Sequence, residues 1–295
     1  MIEYTKDRPL RLFEICAGYG SQALALNRLQ RDFPQFKYEL TGWCDFDPED
    51  KKPIDRQPAV IAHNALHEEG IGKNWGDLTK INWEEVPDFD LLTASTPCQS
   101  ISNAGLQHGF AKDSGTRSSI IWNVHDCVRI KRPRFIVMEN VSAILSKKFF
   151  PLLKLWMDEL ENNFGYVNFM PPAFPTPWKE KNKWTKSGTL NACDYGCPQN
   201  RVRWFCVSIL RTPDDPDPTY SFPQPFPLEK KLKDVLEPKV DEKYYLSDKM
   251  LEYFQRVNDD DSHGHKFKPT DGGGQATTIK ANPATNADDN FVLEK

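Results

Sequence analysis

The stretch Thr96-Pro97-Cys98-Gln99 holds the residue best suited to covalent chemistry. A thiolate is a strong nucleophile, and Cys98 sits behind a proline at the exit of an apolar run, residues 89–94. That placement carries a thiol to the mouth of a sheet; a small apolar core residue is the other reading of the same position. Three further signals surround it in order. Ala17-Gly18-Tyr19-Gly20 comes before it, and Glu139-Asn140-Val141 and Gln199-Asn200-Arg201-Val202-Arg203 come after. Glycines without a Cβ let backbone approach a cofactor closely, and they equally suit a tight strand-to-helix turn. No Gly-Lys-Ser/Thr follows, so the loop is not a phosphate loop.

Glu139 ends an apolar strand. It is either a solvent-facing acid or, if desolvated, a carboxyl that keeps its proton and donates a hydrogen bond to a base nitrogen. Arg201 and Arg203 alternate, which places both on one face of a strand. Two guanidinium groups in step suit a phosphate, a base carbonyl, or ion pairs within the domain. Asp45 and Asp47 follow a second apolar run, where a carboxylate accepts ribose hydroxyls or caps a surface turn. Phe46 between them could stack on an adenine. Asp77, in Gly76-Asp77-Leu78-Thr79, suits an adenine amino group or a helix cap.

These side chains need elements to position them. Residues 10–15, 38–43, 89–94, 135–138 and 202–210 read as strands; residues 23–29, 118–130 and 149–164 read as helices. Strands alternating with helices predict an α/β fold, a doubly wound Rossmann-like sheet that binds cofactors at its carboxyl ends. Residues 1–211 form this first domain. Residues 212–240 open on a proline-rich run and read as a linker. Residues 241–295 form a smaller region, with a helix over 244–254 capped by Ser247 and a polar loop over 258–289.

A chain of 295 residues can bury a full core. No apolar run approaches the roughly 20 residues of a membrane helix, and the N-terminal residues are too polar for a signal peptide. Seven scattered cysteines without a CxxC pair point to a reducing cytosol. Cys193 and Cys197 lack a second ligand pair, so no metal site is expected. The formal net charge is −4, but local patches decide phosphate contact. Basic clusters occur at residues 129–134, at Lys147-Lys148, and at residues 179–186 beside Trp178 and Trp184; each is a nucleic-acid contact or a solvated face.

Taken in order, these motifs resemble the cytosine-C5 DNA methyltransferases over residues 10–209. Residues 113–118 resemble that family's mobile loop after the nucleophile, and Asn191-Ala192 with Asp194-Tyr195-Gly196 resembles the lead-in to its arginine motif. The resemblance implies S-adenosyl-L-methionine bound by Cys16, Ala17, Gly18, Gly20, Asp45, Phe46, Asp77 and Pro97. It implies a cytosine flipped out of double-stranded DNA. Cys98 would attack C6, Glu139 would support N3 and the amino group, and Arg203 with Arg201 would hold the base carbonyl or neighbouring backbone. It also implies a cytoplasmic, bacterial or phage-encoded enzyme. Two other readings are an inactive homologue that binds DNA or cofactor, and an RNA cytosine-5 methyltransferase.

Departures accompany the resemblance. Cys16 stands where the family usually has phenylalanine, and Ser95-Thr96 stand where glycine-phenylalanine is common. Residues 272–293 resemble the stretch before the penultimate motif, but Arg-Leu-Thr-Pro-Arg-Glu and Gly-Asn-Ser-Val are absent. The target-recognition region is therefore expected to be partial. Either a second polypeptide supplies the missing motifs or the chain is truncated.

Overall fold

The computed structural model describes residues 4–101, 108–179, 183–259, 267, 269–279 and 291–293. In chain order the elements are β1 (Leu10–Ile15), α1 (Ser21–Asp32), β2 (Tyr38–Cys44), α2 (Pro58–Leu66), β3 (Leu91–Ala94), α3 (Asn123–Lys131), β4 (Phe135–Val141), α4 (Phe150–Phe164), β5 (Tyr166–Phe169), β6 (Pro175–Thr176), β7 (Lys183–Trp184), β8 (Thr189–Asn191), β9 (Val202–Leu210) and α5 (Asp248–Asp259). The chain divides into two compact units. The first comprises Met1–Pro172, Ser187–Thr189 and Arg203–Phe222; the second comprises Ala173–Lys186, Leu190–Val202 and Pro223–Lys295.

In the first unit the sheet runs β2-β1-β3-β4-β9-β5. The pairs β1/β2, β1/β3 and β3/β4 are parallel, whereas β9 runs antiparallel to both β4 and β5. Alternation along β1 divides its side chains between two faces. Leu12 packs with Ala23, Leu40, Trp43 and Val60 on the α1/α2 side. Phe13 and Ile15 pack with Leu92, Met138, Val128 and Leu153 on the α3/α4 side. Apolar layers thus cover both faces, and the fold is the doubly wound α/β arrangement that the sequence predicts.

Three local departures from the expected bounds occur. The expected strand over 89–94 starts at Leu91, just after Asp90, whose carboxylate holds the Arg11 guanidinium and main-chain amide. β4 continues to Val141, beyond its expected end, because β9 pairs with it as far as Arg203. Residues 117–122 wind as a 3-10 helix, and α3 begins only at Asn123. There the serines bond outside the helix: Ser119 Oγ donates to the Thr116 carbonyl at 2.7 Å, and Ser118 Oγ accepts from the Ser100 amide at 3.1 Å.

In the second unit β6 and β7 form a short antiparallel pair. α5 buries Phe254 and Val257 against Phe267 and Phe291. Ser247 sits at its start, accepting the Met250 amide at 3.4 Å, so the helix begins at Asp248 rather than at 244 and runs on to Asp259. Residues 218–231 form neither helix nor strand. Of the polar stretch 258–289, residues 260–266, 268 and 280–289 lie outside the described residues, as do 180–182 of the basic cluster.

Trp156 is fully buried where α4 meets the sheet, and its Nε1 donates to the Ile121 carbonyl at 3.1 Å. Trp156→Ala should destabilise the chain by about 3–5 kcal/mol through lost packing and a residual cavity. Urea unfolding monitored by far-UV circular dichroism measures this directly.

Candidate active site

The glycine loop forms where β1 hands over to α1. Gly18 and Gly20 have φ of +58° and +76°, in the left-handed region that disfavours side chains. A Cβ on Gly18 would meet nothing within 4 Å, so the space beside it is open. A Cβ on Gly20 would lie 2.4 Å from His67 Nε2. Gly18 is there for its backbone and the open space, Gly20 for both backbone and packing. The Gly18 amide donates to Asp45 Oδ2 at 2.7 Å and links the ends of β1 and β2.

A cavity of about 530 Å³ opens beside this loop, lined by Cys16, Asp45, Phe46, Asp77, Pro97 and Arg117 among others. It lies within the roughly 300–1,000 Å³ of small-molecule sites. Cys16 follows β1, Asp45 and Phe46 follow β2, and Pro97 follows β3, so three parallel strands deliver their next residues to one edge. Ala17 is buried behind the loop. Burial pushes the Asp45 carboxyl up, while the Gly18 amide opposes the shift. Asp77 caps a short turn, accepting from the Thr79 amide and hydroxyl and pairing with Lys80 at 3.2 Å. Burial pushes the Asp77 carboxyl up, but these partners together outweigh it and hold it below its usual range. Desolvation drives the Cys16 thiol well up, which favours its neutral form in the cavity wall.

Arg117, Ile120 and Asn123 also line the cavity, and none was among the expected site residues. Arg117 pairs with Asp47 at 3.2 Å and Glu49 at 3.5 Å. The available signal was its place in the segment 113–118 that follows the nucleophile.

Cys98 is the residue after Pro97, on a loop held at two points. Asn140 Nδ2 donates to the buried Thr96 carbonyl and hydroxyl at 3.1 and 3.3 Å, and Ser118 Oγ holds the Ser100 amide. Ala94 and Met138 are register partners, so the Cys98 loop and the Glu139 end of β4 leave the sheet side by side. Glu139 Oε1 accepts from Arg203 Nε at 3.1 Å, with both side chains about one-fifth exposed or less. β9 begins at Val202, and Arg201 belongs to the second unit, where its amide donates to Asn191 Oδ1 at 2.9 Å. Arg201 thus lies one residue before the strand that carries Arg203. No group of three or more His, Cys, Asp or Glu placed to hold a metal ion occurs among the described residues.

The raised Asp45 carboxyl predicts a pH dependence. The folded chain holds this proton above the ordinary 3.8, where the unfolded chain has already lost it. The stabilisation is complete below the unfolded value and is lost as pH rises through the folded one. Asp45→Asn keeps an acceptor for Gly18 and removes the buried charge. The variant should melt higher than the parent near neutral pH, and the gap should close in acid. Paired thermal melts across pH measure both.

A family model for C-5 cytosine-specific DNA methylase matches residues 10–285. The type II methyltransferase M2.ScrFI of Lactococcus lactis subsp. cremoris is 31% identical over 287 residues, covering 82% of this chain and 71% of its own length. The type II methyltransferase M.NlaX of Neisseria lactamica is 32% identical over 246 residues, covering 83% of this chain and 66% of its own length. The DNMT2 of Spodoptera frugiperda superposes with a TM-score of 0.64 at 16% identity, covering 95% of this chain and 72% of that one. The S. pombe Dnmt2 methyltransferase gives 0.58 at 18% identity, covering 90% and 68%. The solved structures bear on the fold alone. The family match begins at the first residue of β1 and takes in the glycine loop, Cys98 and the Glu139–Arg203 pair, so the chain belongs to the C-5 cytosine-specific DNA methylase family.

Proposed function

We propose that this chain is the catalytic part of an S-adenosylmethionine-dependent DNA cytosine-5 methyltransferase acting on a cytosine flipped out of duplex DNA. The observation that carries this reading is Pro97 in the wall of the cavity with Cys98 as the next residue. A nucleophile at the rim of a donor-sized cavity suits group transfer between two bound molecules.

The residues present fit the donor. Asp45 suits ribose hydroxyls, Phe46 an adenine face, and Asp77 an adenine amino group. The open space beside Gly18 lets the ligand approach main chain. When bound, the donor supplies an electrophilic methyl group.

Cys98, as the thiolate, forms a bond to C6 of the flipped cytosine, and the C5–C6 electron pair moves onto C5. Glu139 hydrogen-bonds N3 and the exocyclic amino group, which makes C6 more electrophilic. Arg203 orients the Glu139 carboxyl and holds the base carbonyl; Arg201 serves the neighbouring backbone. C5 takes the methyl group. A base removes the C5 proton, and the electron pair left behind reforms the double bond and expels the Cys98 thiolate.

The family description names DNA, which favours DNA over RNA as substrate. The second unit, including residues 241–295, is the part assigned to target recognition. The chain spans 71% and 66% of the lengths of M2.ScrFI and M.NlaX. We take full activity to need the motifs absent from these 295 residues, supplied in continuous sequence or by a second polypeptide. Among the described residues no helix is long and apolar enough to cross a membrane. Relatives from Lactococcus lactis and a Bacillus phage support a bacterial cytoplasm as the place of action.

Duplex DNA carrying 5-fluorocytosine should trap the chain covalently in the presence of S-adenosylmethionine, seen as a denaturation-resistant band. Cys98→Ala should abolish the band. The absence of an adduct both from this chain and from the chain with the missing motifs restored would sink the reading. Arg203→Ala should slow methyl transfer roughly tenfold to a hundredfold, the worth of about 1.5–3 kcal/mol for a hydrogen bond to a charged group. Transfer of labelled methyl to tRNA rather than to duplex DNA would move the assignment to RNA.

A further inference from the structure

Beneath the glycine loop lies a buried polar cluster that the proposed chemistry does not use. Glu14, His63 and His67 are each wholly excluded from solvent. Glu14 Oε1 accepts the Ala23 amide in the first turn of α1 at 3.1 Å, and Oε2 lies 3.6 Å from His63 Nε2. The His63 ring lies nearly flat on Trp43, with centroids 3.7 Å apart, and its centroid is 4.8 Å from that of His67. His67 Nε2 lies 3.2 Å from the Tyr19 carbonyl and 3.0 Å from the Gly20 carbonyl. Carbonyl oxygens only accept, so Nε2 carries the proton and donates to both.

We infer that His67 is a positioning residue for methyl-donor binding, holding the glycine loop in its ligand-ready turn through the Tyr19 and Gly20 carbonyls. The loop needs an outside clamp. Cys16, Gly18 and Gly20 all have positive φ, a strained state for Cys16. Gly20 stands at the N-cap of α1 without a side-chain hydrogen bond. Its amide donates to Ala17 O at 2.9 Å, and its carbonyl accepts the Leu24 amide at 3.0 Å, so fixing Gly20 fixes the entry to the helix. The same turn presents the Gly18 amide to Asp45 at the cavity wall. This role rests on the cavity being the donor site.

Two substitutions separate the donated hydrogen bond from the space the ring fills. His67→Gln can place an amide nitrogen near the Nε2 position; His67→Leu fills volume and donates nothing. The first readout needs no ligand: amide hydrogen exchange at Gly20 and Leu24 in the free chain. The second is calorimetric affinity for S-adenosylmethionine. The Leu variant should exchange these amides about tenfold faster and bind the donor about tenfold more weakly, the worth of roughly one hydrogen bond. The Gln variant should stay within about threefold of the parent on both, since it restores the donor. Unchanged exchange in a folded Leu variant, or a Gln variant that fails as the Leu variant does, overturns the clamp. If the Leu variant does not fold, His67→Asn, too short to reach the carbonyls, takes its place with the same expectations. Faster exchange in a protein whose parent form binds no donor would leave the clamp standing and sink the donor-site reading instead.

Discussion

The register between β4 and β9 holds the reactive edge together. It sets Glu139 against Phe205 and Val141 against Arg203. Glu139 and Arg203 therefore lie on a diagonal of one face, close enough for the 3.1 Å contact between them. A slip of one residue would turn Arg203 to the opposite face and leave Glu139 without it. Between Glu139 and Val141, Asn140 holds Thr96 and so ties the end of β4 to the loop that carries Cys98. One pairing of two strands thus governs the carboxyl, the guanidinium and the seat of the thiol.

The donor side is built on a different principle. Parallel strands deliver successive loops to one edge, and β1, β2 and β3 contribute Cys16, Asp45 and Pro97 to one cavity wall. The edge is not optimised for stability. Asp45 is partly buried with its carboxyl pushed up, and Cys16 is held at a φ of +53°. Such features persist where the surrounding structure over-determines them, and they concentrate at functional sites. Here the surroundings are the Glu14, His63 and His67 cluster below and the Gly18 amide above.

Family membership and local chemistry do not coincide everywhere. Cys16 brings a small thiol to the cavity wall where a ring is usual, and desolvation pushes that thiol up. Cys44 and Cys127 share that fate in the core, where desolvation pushes both thiols up. Cys98 differs from Cys44 and Cys127 in place: like Cys16 it is only partly buried, and it sits on a loop at the sheet's edge.

Much of the fold was legible locally. The apolar runs of β1, β2 and β9, the helix α4 and the Ser247 start of α5 follow from side-chain periodicity and capping, which act over a few residues. The order of glycine loop, Cys98, Glu139 and Arg203 marked the groups able to do chemistry, because reactivity resides in residue type and short spacing. Other features were not legible. The 3-10 winding of residues 117–122 accompanies a serine bonded to Ser100, and the Arg201 amide, just before β9, is bonded to Asn191. His67 reaches Gly20 across 47 positions of chain. The sequence by itself determined the fold class and the candidate reactive groups. Only the tertiary structure decided which of them touch, because contacts between residues far apart depend on strand register and on how helices pack over the sheet.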